Sequence, residues 1–222
     1  MDRGEAGESP VDAPVVLVAR LTDRESRPVV PTAAYWAPHL AAALGARESR
    51  MIDRPGGAPT CLVDGTPLAA SASRTAGARA LAVAAAGPVG VDIERAVALD
   101  DADRLLDLIL APEEAAALGA TEHQELCRVF LALWTQKEAV LKAAGLGLRA
   151  EPREVRLAEP GAPVTTGLLR GGVYRVWSRV VGDWFVSCAL TGDHAEGARP
   201  AEPGWVFLEE SGLGIMHQWH TG

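Results

Sequence analysis

No run of apolar residues in this 222-residue chain is long enough to cross a bilayer, which takes about 20 in succession, so a membrane-spanning protein is not expected. Cysteine is scarce. Cys61, Cys127 and Cys188 are odd in number and far apart, a spacing that fits neither a zinc site nor a disulfide scaffold and points to reduced thiols in the cytoplasm. Positive charge is also short: the formal net charge is −8, whereas a general nucleic-acid binder carries a basic footprint. That balance still permits an anionic small ligand, which needs only a local cluster of cations. There is no Gly-x-Ser-x-Gly elbow. Gly145-x-Gly147 follows a helical stretch instead of opening one, so it is no dinucleotide fingerprint. The first ten residues are acidic and polar, without a basic start or an apolar core, so a short disordered leader is expected and a secretory signal is not. Lysine is scarce too. Lys137 and Lys142 are the only two in an arginine-biased chain, which singles out places where a compact ammonium matters more than a planar fork.

What is present is ordinary globular composition, 48% hydrophobic and 23% charged. Val15–Val18 reads as an early strand and Tyr35–Ala46 as a short helix. Pro55–Pro59 is a loop, and Thr60–Val63 a short strand closed by Asp64-Gly65-Thr66-Pro67. Ala78–Ala85 and Val89–Glu94, separated by Gly87-Pro88, read as a hairpin. Asp100–Asp103 is a solvated loop or helix start. Pro112-Glu113-Glu114 fits a first helical turn. Thr121-Glu122-His123-Gln124 has the form of a capping box opening a long helix that Gly145-Leu146-Gly147-Leu148 ends. Val173–Val181 and Trp184–Leu190 read as a second hairpin around Gly182-Asp183. A polar linker, Gly192–Pro203, leads to a tail containing Trp205, Phe207 and Trp219, aromatic enough to pack on the protein. His217 and His220 alone supply too few ligands for a metal.

Two segments carry chemistry. On a strand Val89-Gly90-Val91-Asp92-Ile93-Glu94, side chains alternate, so Val89, Val91 and Ile93 face a core while Gly90, Asp92 and Glu94 face the other way. Two carboxylates about 7 Å apart on one face repel unless a cation or proton sits between them. Hard oxygen ligands with an open side suit Mg²⁺. On the long helix, Trp134, Glu138 and Lys142 follow at i, i+4 and i+8, one stripe. Alone, the first segment reads more simply as two solvated acids, and the second as a surface Glu–Lys pair.

Together, Gly-Val-Asp-Ile-Glu at 90–94 and Trp-Thr-Gln-Lys-Glu-Ala-Val-Leu-Lys at 134–142 resemble the 4′-phosphopantetheinyl transferase superfamily, in its larger, monomeric surfactin-type branch. The resemblance implies an α+β fold of two similar lobes related by a pseudo-twofold axis. Each lobe would be a small, mostly antiparallel sheet packed with helix, and the active site would lie in the cleft between them. The expected division is residues 1–98, with the metal-binding strand 89–94, and residues 99–222, with the catalytic helix 122–144 and the tail. It implies Asp92, Glu94 and Glu138 as Mg²⁺ ligands, Glu138 also as the base toward the acceptor serine, Lys142 on the pyrophosphate of coenzyme A, and Lys137 as a second phosphate neighbour. The family's Ser-His-Ser or Ser-His-Thr stretch appears as Ser73-Arg74-Thr75, where Arg74 replaces the histidine on the 3′-phosphate; an arginine can still bind phosphate in bidentate fashion. Its Gly-Lys-Pro appears as Gly65-Thr66-Pro67. The implied activity is Mg²⁺-dependent transfer of 4′-phosphopantetheine from coenzyme A to an apo acyl or peptidyl carrier protein, by a cytoplasmic monomer. The alternatives are a repurposed biosynthetic enzyme with an altered coenzyme A pocket, and a non-catalytic module that binds carrier proteins.

Overall fold

The computed structural model describes residues 13–21, 32–52, 58–85, 87–97, 102–118, 123–192, 201–210 and 216–219. The expected leader, most of the Pro55 loop, Thr121 and Glu122 of the capping box, most of the polar linker and His220 lie outside them.

The strands form two sheets. The first holds β1 (Val15–Leu21), β2 (Ser49–Ile52), β3 (Thr60–Val63), β4 (Thr66–Thr75), β5 (Ala78–Ala84), β11 (Gly204–Glu210) and β12 (Met216–Trp219), in the order β12-β11-β1-β5-β4-β3-β2. The second holds β6 (Val89–Arg95), β7 (Arg156–Leu157), β8 (Val164–Leu169), β9 (Gly172–Val181) and β10 (Trp184–Thr191), in the order β6-β10-β9-β8-β7. All pairings are antiparallel except β1 with β11. The helices are α1 (Thr32–Leu44), α2 (Ala102–Ile109), α3 (Pro112–Leu118) and α4 (His123–Ala143).

The period-2 patterning sorts these strands into layers. Val16 and Val18 of β1 and the alanines at 78, 80, 82 and 84 of β5 face inward, against Val89, Val91, Ile93, Trp177, Val186, Cys188 and Leu190 of the second sheet. The small alanines let the sheets approach closely. The alternate residues of the first sheet, among them Leu17, Leu68, Leu81 and Val83, pack under Trp36 and Leu40 of α1. On the far side of the second sheet, Val176, Phe185 and Ala189 pack against Leu133, Val140 and Leu141 of α4. The result is helix, sheet, sheet, helix, a mixed α+β architecture.

Two expectations change. Ala78–Ala85 and Val89–Glu94 do not form a hairpin: β5 pairs with β1 and β4, while β6 pairs with β10 in the other sheet. Both strands have an apolar face, and the chain crosses at Gly87-Pro88 so that these faces meet across the inter-sheet core instead of lying side by side. Strand pairing also crosses the expected boundary at residue 98 in both directions, since β6 pairs with β10 and the tail strand β11 with β1. In the tail, Phe207 faces the inter-sheet core while Val206 and Leu208 face the α1 layer, which is why so apolar a segment is held as a strand.

The β9–β10 hairpin and the long helix form as the pattern predicts. Helix α4 stops two residues before Gly145, which takes the left-handed region with φ of +67. Leu146 N donates to Leu141 O and Gly145 N to Lys142 O, the paired bonds of a Schellman stop. That stop fixes the last turn of α4, the turn that carries Lys142.

Candidate active site

The site forms where α4 lies across β6. Gly90 makes this approach possible: a Cβ there would stand 1.9 Å from Ala139 O and 2.5 Å from Ala143 N. The space beside the two acids is therefore filled by helix backbone. Asp92 and Glu94 share the Gly90 side of β6 and are presented to the Trp134–Glu138–Lys142 stripe.

Lys142 Nζ donates to Asp92 Oδ1 at 2.7 Å, to Ser73 Oγ at 3.1 Å and to Val91 O at 3.1 Å. Asp92 is 4% exposed. Trp134 stacks on Phe130 at 5.9 Å. Glu138, 9% exposed, lies between Trp134 and Lys142 on the stripe. Burial, and then the charge of Asp92, pushes the carboxyls of Glu94 and Glu138 above their ordinary range. Lys142 pulls both back, and Glu94 adds to the repulsion on Glu138. The three acids thus form one electrostatically coupled group.

From the first sheet, β4 turns Ser71, Ser73 and Thr75 toward the edge of β6 that β10 leaves open. Ser71 Oγ accepts from Val91 N at 3.1 Å, Ser73 Oγ donates to Asp92 Oδ1 at 2.8 Å, and Thr75 Oγ1 donates to Glu94 Oε2 at 3.1 Å. Ser71 is a contributor that sequence reading missed, although the period-2 run of hydroxyls at 71, 73 and 75 was its signal. Beneath the site, a one-way hydrogen-bond chain runs from Gln136 through Ser178, Ser187 and Thr135 to Ala132 O. It ties α4 to β9 and β10 at Ser187, directly opposite Asp92 in register.

Two expected site residues are not brought here. Lys137 is fully buried, and its three N–H bonds go to Glu114 Oε2 at 2.6 Å, Pro152 O and Val155 O. No donor remains for a phosphate, and the phosphate-neighbour assignment is corrected to a structural one. Burial lowers the Lys137 ammonium, opposed by its bond to Glu114. Glu114 also accepts from Ala111 N and Leu157 N, so the pair fastens α3 and the 152–157 segment to α4. Arg74 is exposed, projecting from the opposite face of β4 to Ser73 and Thr75. The structure does not join it to the carboxylates.

Among the described residues, no three His, Cys, Asp or Glu side chains converge as a ready-made metal cage. The donor set nevertheless suits a hard divalent cation. Asp92 Oδ2 is buried without a hydrogen-bond partner, and the acids beside it repel one another, the chemistry that a cation with oxygen ligands relieves.

The model of the ACPS family, the 4′-phosphopantetheinyl transferase superfamily, matches residues 88–189. That stretch contains β6, α4 and the β9–β10 hairpin. A proposed 4′-phosphopantetheinyl transferase of Synechocystis is 36% identical over 62 residues, 28% of this chain and 25% of the relative, so the match spans a quarter of that protein's length. The crystal structure of Thermotoga maritima holo-[acyl-carrier-protein] synthase is similar with a TM-score of 0.38 and 22% identity, covering 47% of this chain and 62% of that one. No helix among the described residues is long and apolar enough to cross a membrane. Over residues 88–189 the chain is similar to the 4′-phosphopantetheinyl transferase superfamily.

Proposed function

We propose that the protein transfers 4′-phosphopantetheine from coenzyme A to a serine of an apo acyl or peptidyl carrier protein, with Mg²⁺, releasing 3′,5′-ADP. The observation that carries this reading is the coupled group Asp92, Glu94 and Glu138 with Lys142 on it, inside the stretch that the superfamily model matches. The surfactin-type branch, and two similar lobes with the active site between them, belong to the same proposal. A cytoplasmic monomer is part of the same proposal.

Asp92, Glu94 and Glu138 would hold the cation, which when bound supplies neutralisation of phosphate charge. Glu138 also accepts the proton of the attacking serine. The serine oxygen bonds to the β-phosphorus, the bond from that phosphorus to the bridging oxygen breaks, and the electron pair leaves with 3′,5′-ADP. Lys142, partly exposed at 26%, is the cation that meets the pyrophosphate, and it must release part of its hold on Asp92 and Ser73 to do so. Phosphoryl transfer chiefly needs this positioning and charge balance.

The test is incubation with coenzyme A, Mg²⁺ and apo carrier proteins, read by mass spectrometry. A phosphopantetheine mass on the carrier serine is expected, with no transfer by Glu138→Ala. Absence of the mass across several carriers would refute the function, and normal turnover by the variant would refute the role of Glu138. A second reading has two observations of its own: Arg74 faces away from the carboxylates, and Thr66 stands where the family resemblance implies a lysine. A repurposed enzyme with an altered nucleotide pocket would bind no coenzyme A in calorimetry with Mg²⁺ present.

A further inference from the structure

We propose that Ser73 and Thr75 are positioning residues that aim the carboxylates of Asp92 and Glu94 at a divalent cation, and that their hydroxyls do not serve as ligands for the nucleotide. This rests on the metal-dependent reading of the site.

A serine or threonine has one proton to donate. Ser73 Oγ has two partners, Asp92 Oδ1 at 2.8 Å and Lys142 Nζ at 3.1 Å. An ammonium cannot accept, so the serine proton goes to Asp92 and the serine oxygen receives Lys142. Thr75 Oγ1 has Glu94 Oε2 at 3.1 Å, and it donates to that carboxylate. Ser71 sets the register for both: by capping Val91 N at 3.1 Å it fixes β4 along the open edge of β6, and the next two inward hydroxyls of β4 fall opposite the two acids of β6.

Each acid is thereby pinned through one oxygen. For Asp92 the other oxygen, Oδ2, is buried and unpartnered. Bonds to one oxygen narrow the orientations a carboxylate can take and so bias where its second oxygen points. Groups that hold metal ligands in this way typically contribute about 10- to 100-fold in affinity. The pinning hydroxyls come from the first sheet and the carboxylates from the second, so the assembly also couples the packing of the two sheets to the site.

The experiment is calorimetric titration of the full-length protein with Mn²⁺ and with Mg²⁺, in the absence of coenzyme A and carrier. Thr75→Val, which keeps the shape and removes the donor, should weaken metal binding about 10- to 100-fold. Ser73→Ala should weaken it similarly, and Thr75→Ser, which restores the donor, should recover the wild-type affinity. Thermal melting in EDTA identifies any variant that has merely unfolded, and the Thr75→Val and Thr75→Ser comparison then decides. Binding of 3′,5′-ADP in EDTA provides the opposing arm. If Ser73→Ala or Thr75→Val weakens 3′,5′-ADP binding and leaves metal affinity unchanged, the residues are nucleotide ligands and the proposal is overturned. A wild-type protein that binds neither cation also overturns it. Normal metal linkage through Thr75 without any carrier modification would instead refute the transferase reading and leave this inference standing.

Discussion

At the residue scale, the two lysines have opposite fates despite lying five positions apart on one helix. Lys142 reaches the coupled acids and keeps a side chain 26% exposed. Lys137 is fully buried against Glu114. Reductive methylation of the folded protein should therefore label Lys142 and the N-terminus and spare Lys137, as read by peptide mass spectrometry. Labelling of Lys137 at the same rate would contradict its placement. Lys137→Met would leave Glu114 as an uncompensated buried charge, a change that costs about 3–5 kcal/mol and lowers the denaturant midpoint accordingly. The acids themselves predict a pH dependence. Glu94 and Glu138 have carboxyls raised above the ordinary 4.5, by burial first and then by Asp92. Above that ordinary value the folded state keeps protons that the unfolded state has released, so unfolding free energy falls as pH rises through the window. In EDTA, the urea midpoint of the wild type should decline from mildly acidic to neutral buffers more steeply than that of Glu138→Gln. Added Mg²⁺ should flatten the difference. Equal slopes for the two proteins in EDTA would show that Glu138 is not raised.

At the element scale, the site depends on one helix lying against one strand, and Gly90 is the point of contact. A methyl group there would fall 1.9 Å from Ala139 O, and the obstacle is backbone that no rotamer can move. Overpacking of cores usually costs about 1–3 kcal/mol, and a backbone clash belongs at or beyond the upper end. Gly90→Ala should lower the melting temperature and, in whatever protein still folds, weaken metal binding by moving Glu138 and Lys142 away from Asp92. A variant with wild-type stability and wild-type metal affinity would show that α4 and β6 are not so close. Much of this element pair was legible in the chain. Alternation on 89–94 and the four-residue spacing of Trp134, Glu138 and Lys142 are local patterns, and they placed the acids and the stripe correctly. Partner choice was not legible. Val89, Val91 and Ile93 could pair beside β5 or pack across from it with equal local logic; in the fold β1 and β4 take both edges of β5, and β6 packs across from it. Lys137 illustrates the same limit: its neighbour in sequence is Glu138, but its direction is set by Glu114 and the carbonyls at 152 and 155, which no spacing rule connects to it.

At the scale of the whole molecule, the tail is part of the scaffold that carries the site. Strand β11 lies between β12 and β1, and Phe207, 5% exposed, enters the inter-sheet core. On its other side β1 pairs with β5, and β5 with β4, the strand that turns Ser71, Ser73 and Thr75 toward the acids. Removing residues 201–222 would leave the backbone of β1 as an unpaired edge beside buried Val16, Leu17, Val18 and Ala19, an arrangement that invites edge-to-edge association. The truncated chain should melt lower and associate with itself, as seen by light scattering. Phe207→Ala tests the same link within the intact chain. Loss of a buried phenylalanine costs about 3–5 kcal/mol, so the melting temperature should drop although no residue of the site has changed. Because β4 belongs to the same sheet, loosening it should also weaken metal binding in the folded fraction of Phe207→Ala, more weakly than Thr75→Val does. If the truncated protein keeps wild-type melting and remains a single species, the tail is an appendage and the first sheet holds β4 in place without it.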